Sequence, residues 1–194
     1  MEMVLVFGLG IAFAIGLVWF RTRQFGFPAQ APQQYDGRTP DFDIRKGLNG
    51  PMACEGVIFG PTGRVSSRFI ARFHAEWDGN SGRMTEHFVY DSGETQDREW
   101  RLSVDEAGAI RAEADDLVGA GRGRQAGHGV MLNYRIRLPE SSGGHVLDAV
   151  DWMYLMENGI VINRSQFRKF GIKVAELVAT IRPIEARDER QEAA

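Results

Sequence analysis

Beyond residue 50, apolar side chains recur at every second position through most of the chain. Phe69, Ala71, Phe73, Ala75 and Trp77 alternate with Arg68, Arg72, His74 and Glu76; Val130, Leu132, Tyr134, Ile136 and Leu138 alternate with Asn133, Arg135 and Arg137. Successive side chains of a strand point to opposite faces, so a period of two predicts strands with one buried face and one wet face. The pattern repeats over 84–90, 100–104 and 110–114, and further apolar runs follow at 145–156, 160–163 and 172–181. Asp78-Gly79, residues 80–82, Ser92-Gly93, residues 141–144 and Asn158-Gly159 separate these runs and supply the backbone angles that tight turns need. Counted from Ala53, this makes about nine or ten strands at hairpin spacing with no long helical pattern between them. The expected fold class is mainly β: an antiparallel up-and-down barrel of lipocalin type over residues 41–183, with a two-sheet sandwich as the alternative. Closure removes exposed edges, and a small barrel can enclose one ligand.

Residues 3–20 break this pattern, with eighteen consecutive residues and no charge. A helix needs roughly 20 apolar residues to cross a bilayer, so the run predicts a transmembrane helix over residues 1–22, with Trp19 and Phe20 at the interface. A cleavable leader would begin with positive charge and end in a small-x-small site; here the start offers Glu2 and the end reads Trp19-Phe20-Arg21. Arg21 and Arg23 follow the span and no basic residue precedes it, which by the charge rule places the domain in the cytoplasm at a bacterial inner membrane. Residues 23–40, with Pro28, Pro32 and Pro40 and no apolar period, read as an extended linker, and residues 184–194 as a charged tail.

Charge narrows the partners. Of 26 acidic residues only Glu2 precedes the span, so 25 stand against 23 basic ones in the remainder, with both signs interspersed. Nothing in that balance offers a nucleic-acid footprint. His74, His87, His128 and His145 lack metal-ligand spacing, and Asp115 and Asp116 point to opposite faces of a strand, so no metal is expected, with Glu94 and Asp91 standing elsewhere. The glycine-rich stretch 119–129 leads into a strand at Val130, whereas a phosphate loop needs a helix there; it reads as a hairpin at a barrel corner. Cys54, the one cysteine, has no activating neighbour and reads as a buried thiol. No cofactor is expected.

The run from Asp151 to Arg164 (DWMYLMENGIVINR), continuing to Lys169-Phe170-Gly171, resembles the hallmark of the bacterial domain of unknown function 3833 family. Leu48-Asn49-Gly50-Pro51, residues 88–96 (FVYDSGETQ) and residues 114–119 (ADDLVG) resemble it too, so the likeness extends in order from Tyr35 to Arg182. The resemblance implies an envelope-associated, lipocalin-like barrel without established catalytic residues. Many relatives carry a lipoprotein signal, implying the periplasmic side, while this chain has no lipidation cysteine. The resemblance also implies a link with enzymes that modify membrane lipids, and so a fatty acid or other lipid as ligand.

Within the 151–164 hairpin, Trp152, Tyr154 and Met156 share a face with Asp148, while Asp151 lies on the other; the returning run carries Ile160, Ile162 and Arg164 on one face and Asn163 on the opposite one. Together with Tyr134 these residues are the candidate ligand site, with an acyl chain among the aromatic and Met side chains and Arg164 on the polar head. The plainer and favoured reading makes Asp151 and Arg164 a structural pair closing the barrel. The expected function is a membrane-anchored, non-enzymatic domain that binds lipid and assists membrane lipid modification or envelope homeostasis. A lipid-acting enzyme and a packed barrel serving as an interaction subunit are the alternatives.

Overall fold

The computed structural model describes residues 2–184; the expected charged tail, from residue 185 on, lies outside the described residues. Ten strands form one closed sheet: β1 (Gly50–Phe59), β2 (Val65–Asp78), β3 (Ser81–Tyr90), β4 (Thr95–Val104), β5 (Ala109–Glu113), β6 (Gly121–Ala126), β7 (Gly129–Arg137), β8 (Val146–Leu155), β9 (Val161–Lys169) and β10 (Ile172–Pro183). Each pairs antiparallel with its neighbour in sequence, and β1 closes the circle by pairing with β10 from Met52↔Pro183 to Phe59↔Glu176. The sandwich alternative is thereby excluded. The barrel is up-and-down, as expected, but it has ten strands where the lipocalin pattern has eight.

Alternation drives the closure. In β2, Phe69, Ala71, Phe73 and Ala75 are buried while the residues between them face out. Leu102 and Val104 of β4, Ile110 and Ala112 of β5, and Val130 and Leu132 of β7 continue the inner face. At one end the interior is plugged by a short helix, α2 (Ile44–Gly47), capped by Asp43, whose side chain accepts from the Arg45 N–H at 3.1 Å. Phe42, Ile44 and Leu48, each 1% exposed, enter the barrel there. The plug is tied down by the Phe42 N–H donating to the Gly127 carbonyl at 2.7 Å, the Ile44 N–H to Gln125 Oε1 at 3.2 Å, and the Trp77 indole N–H to the Leu48 carbonyl at 2.8 Å.

Two expectations for the N-terminal part are corrected. A helix, α1, runs over Glu2–Phe25 with exposed apolar residues, but among the described residues no helix is long and apolar enough to cross a membrane. Nor is the stretch after it a loose tether. Phe27–Ala29 and Pro32–Tyr35 form short 3-10 turns, and Tyr35 packs on the outside of the barrel with its ring 5.2 Å from that of Trp152 and 5.9 Å from that of Tyr154.

Close approach of β6 to β7 depends on glycine. A Cβ on Gly123 would stand 2.0 Å from the Met131 carbonyl oxygen and 2.5 Å from Leu132 Cδ2, and a backbone oxygen cannot swing aside. Gly123→Ala is therefore expected to destabilise the barrel by about 2 kcal/mol or more. Gly60→Ala, where the nearest such atom is 3.8 Å away, is expected to stay within about 0.5 kcal/mol of wild type in the same denaturant titration.

A polar cluster inside the barrel cavity

The plug fills one end and leaves the other hollow. A cavity of about 1090 Å³ extends from Ile44 and Leu48 to a rim formed by Ser92, Glu94, Pro139 and Glu140. Its wall is mostly apolar, with Phe69, Phe88, Ile136, Met153, Phe167 and Leu177 among the lining side chains. Charged and hydrogen-bonding groups nevertheless stand at several inward positions: Glu86 of β3, Arg98 of β4, Tyr134 of β7, Asp151 of β8, and Asn163 and Ser165 of β9.

Register explains their meeting. Glu86 is the cross-strand partner of Arg98, and Asp151 that of Ser165. Arg98 donates twice to Asp116, Nε to Oδ2 at 2.7 Å and Nη2 to Oδ1 at 3.2 Å, and its guanidinium lies 4.0 Å over the Trp100 ring. Glu86 Oε2 stands 3.8 Å from Arg98 Nη1, beyond hydrogen-bond reach, and has no hydrogen-bond partner. Asp151 Oδ1 accepts from Asn163 Nδ2 and, at 2.8 Å, from Ser165 Oγ.

Burial pushes the Glu86 carboxyl up to about 7; Arg98 and Trp100 oppose the rise, and Asp151 and Asp116 add to it. Asp151 is raised for the same first reason, although Ser165 and Asn163 bonding favours its charge. Burial also raises Tyr134 and Cys54, so the Cys54 thiol is held neutral and is no ready nucleophile.

Asp116 enters the cluster because the wall is incomplete beside it. β5 pairs with β4 only across Arg101–Val104, so Thr95–Trp100 has no β5 partner on that side. Asp116 reaches inward to Arg98 there, while Asp115 bonds Arg101 at 2.9 Å on the outside; the pair stands in a turn after β5, not in the strand expected. A second concavity, of about 980 Å³, lies against the barrel flank and shares Phe73, Glu86, Gln96, Arg98, Asp115 and Asp116 with the central cavity.

Of the candidate residues, the structure brings Asp151, Asn163 and Tyr134 together inside the cavity and places the others elsewhere. Trp152 and Tyr154 lie on the outer face, stacked with rings 5.8 Å apart, and the Tyr154 hydroxyl donates to Gln30 Oε1 at 2.9 Å. Met156 follows β8 in the turn and is 47% exposed. Arg164 is also outside, 4.6 Å over the Phe27 ring and bonded by Nε to Glu176 Oε1 at 2.6 Å. The expected Asp151–Arg164 pair does not form, because the two side chains leave the sheet on opposite faces, and Arg164 is not placed to anchor a head group in the cavity. The division of the hairpin into two faces is as read; the inward face is the one with Asp151 and Asn163, since the 27–35 segment covers the aromatic one. Glu86, Arg98 and Ser165 are missed by the sequence reading, and Asp116 is considered there only as a metal ligand. Their signal was a charge in apolar phase, in Met84-x-Glu86-x-Phe88 and Gln96-x-Arg98-x-Trp100.

A family model of a protein of unknown function, DUF3833, matches residues 23–183. The chain belongs to the DUF3833 family. Among curated proteins none matches it. Among solved structures, this DUF3833 barrel is similar to the S-type phycobiliprotein lyase CPES of Guillardia theta, at 9% identity and a TM-score of 0.52, over 74% of this chain and 92% of that one. It is also similar to Rv2717c of M. tuberculosis, at 14% identity and a TM-score of 0.50, over 72% of this chain and 94% of that one. At such identities the likeness is one of fold.

The buried carboxyl gives a signed pH dependence. Glu86 has an ordinary value of 4.5 and a folded value of about 7, so the folded protein keeps a proton that the unfolded chain releases between them. This stabilisation is complete below 4.5 and is lost as pH rises through about 7; the full difference amounts to about 3 kcal/mol. Asp43 and Glu55, lowered by bonds from Arg45 and Arg182, act the other way only in acid. The melting temperature is expected to fall from about pH 5 to about pH 8, and Glu86→Gln to remove most of that fall. A wild-type profile that is flat or rises across this range would show that Glu86 ionises as an ordinary carboxyl.

Proposed function

We propose that this chain is a binding barrel that encloses an elongated, largely apolar ligand of lipid type. The observation that carries the reading is the hollow half of the barrel: a cavity of about 1090 Å³, at the upper end of the range for small-molecule sites, with an apolar wall and a few convergent polar groups. A packed interaction subunit would leave no such space. In the context implied by the family resemblance, the barrel would shield a lipid from water and present it to proteins that modify membrane lipids.

The enzyme reading stands second, favoured by one observation, the buried acid Glu86 raised to about 7, a value suited to proton transfer near neutrality. Burial holds the Cys54 thiol neutral, so it is no ready nucleophile for such chemistry.

Displacement of an uncharged, environment-sensitive naphthalene ketone dye from the full chain by dodecanol tests the binding reading. The expected result is saturable displacement by dodecanol, weakened about tenfold or more in Leu177→Trp, whose indole would occupy the cavity. Lack of displacement, or a Leu177→Trp variant that binds as well as wild type, would refute it.

A further inference from the structure

If the cavity holds an amphiphile, its polar groups select the head. Among the described residues the cavity lining presents six carboxylates (Glu86, Glu94, Asp115, Asp116, Glu140 and Asp151) against two guanidinium groups, Arg98 and Arg137. Glu94 and Glu140 belong to the rim, and Asp115 bonds Arg101 outside. The deep balance is therefore between Glu86, Asp116 and Asp151 on one side and Arg98 on the other.

Arg98 is already committed, because its hydrogen bonds go to Asp116, its Nη1 stands 3.8 Å from Glu86 Oε2 and Trp100 covers its face. An incoming carboxylate would have to displace Asp116 and would then lie among Glu86 and Asp151. Glu86 is in the opposite condition. It is 7% exposed, lines the cavity, and has an oxygen, Oε2, with no hydrogen-bond partner. A buried acceptor left without a donor is costly, more so when it is charged, so this oxygen is a site prepared for a donor. Asp151 stands across the lumen as a second carboxylate, held by Asn163 Nδ2 and Ser165 Oγ on Oδ1 and by Tyr134.

We propose that Glu86 and Asp151 form a subsite for a cationic, hydrogen-bond-donating head, the ammonium of an alkylamine-type amphiphile, whose chain lies along the apolar wall. This rests on the binding reading above and goes beyond it by naming the head-group chemistry. An ammonium brings three donors and one positive charge; a carboxylate brings neither. Charge-assisted hydrogen bonds in a desolvated site are the strong ones, and here they distinguish ligands with identical tails.

The test is calorimetric titration of the full chain at neutral pH with dodecylammonium, dodecanol and dodecanoate, each below its micelle concentration. The order expected is dodecylammonium tightest, by about tenfold or more over dodecanol, with dodecanoate weakest. In Glu86→Gln and Asp151→Asn the ratio of dodecylammonium to dodecanol affinity is expected to shrink several-fold. Dodecanoate binding as tightly as dodecylammonium would overturn the subsite and leave the lipid-type cavity standing. Failure of all three to bind would overturn both. The wild-type order decides the matter even where a variant does not fold, and an amine preference that survives in both folded variants would place the recognition elsewhere and refute the assignment.

Discussion

Pairing of the first strand with the last governs the rest of this structure. Because β1 hydrogen-bonds β10 on one side and β2 on the other, every full-length strand has neighbours on both sides and no long sheet edge is left to aggregate. Barrel diameter grows with strand number, and about eight strands give an interior that side chains can fill. Ten strands exceed that number, so closure at ten leaves volume that must be plugged or left open. This chain does both: α2 and its flanking Phe42 and Leu48 fill one end, and the other stays hollow.

The hollow end explains why charges are tolerated at inward positions. A carboxylate in a packed core is costly, whereas one facing a cavity is buried from bulk solvent yet open to an occupant. Arg98 and Asp116 satisfy one another where β5 leaves β4 unpaired, so this ion pair helps to close a weak place in the wall. Glu86 has no such satisfaction on Oε2. Its environment departs from the consistency that runs through the rest of the fold, and such departures concentrate where proteins do their work.

Much of the barrel was legible in the chain because a strand's period of two is a local property. Phe69 to Trp77 and Val130 to Leu138 declare themselves without knowledge of their neighbours, and the glycine turns separate one strand from the next. What was not local was not legible. Trp152 and Tyr154 look like an inward face until Gln30 and Tyr35, more than a hundred residues earlier, are seen to cover them. With the cover out of sight, Asp151 and Asn163 carry no more weight than their neighbours, and Ser165 does not stand out at all. Glu86 and Arg98 carried a readable signal, a charge in the apolar phase of two adjacent strands, but their convergence with Asp151 across the lumen depends on closure.

We propose that the barrel is hollow in order to hold a ligand. Native mass spectrometry of the full chain, purified from cells and released gently into the gas phase, tests it most directly. The account predicts a stoichiometric adduct of lipid-like mass, lost on denaturation and regained when the extracted material is added back. A bare mass that takes up no amphiphile of any head group would contradict it.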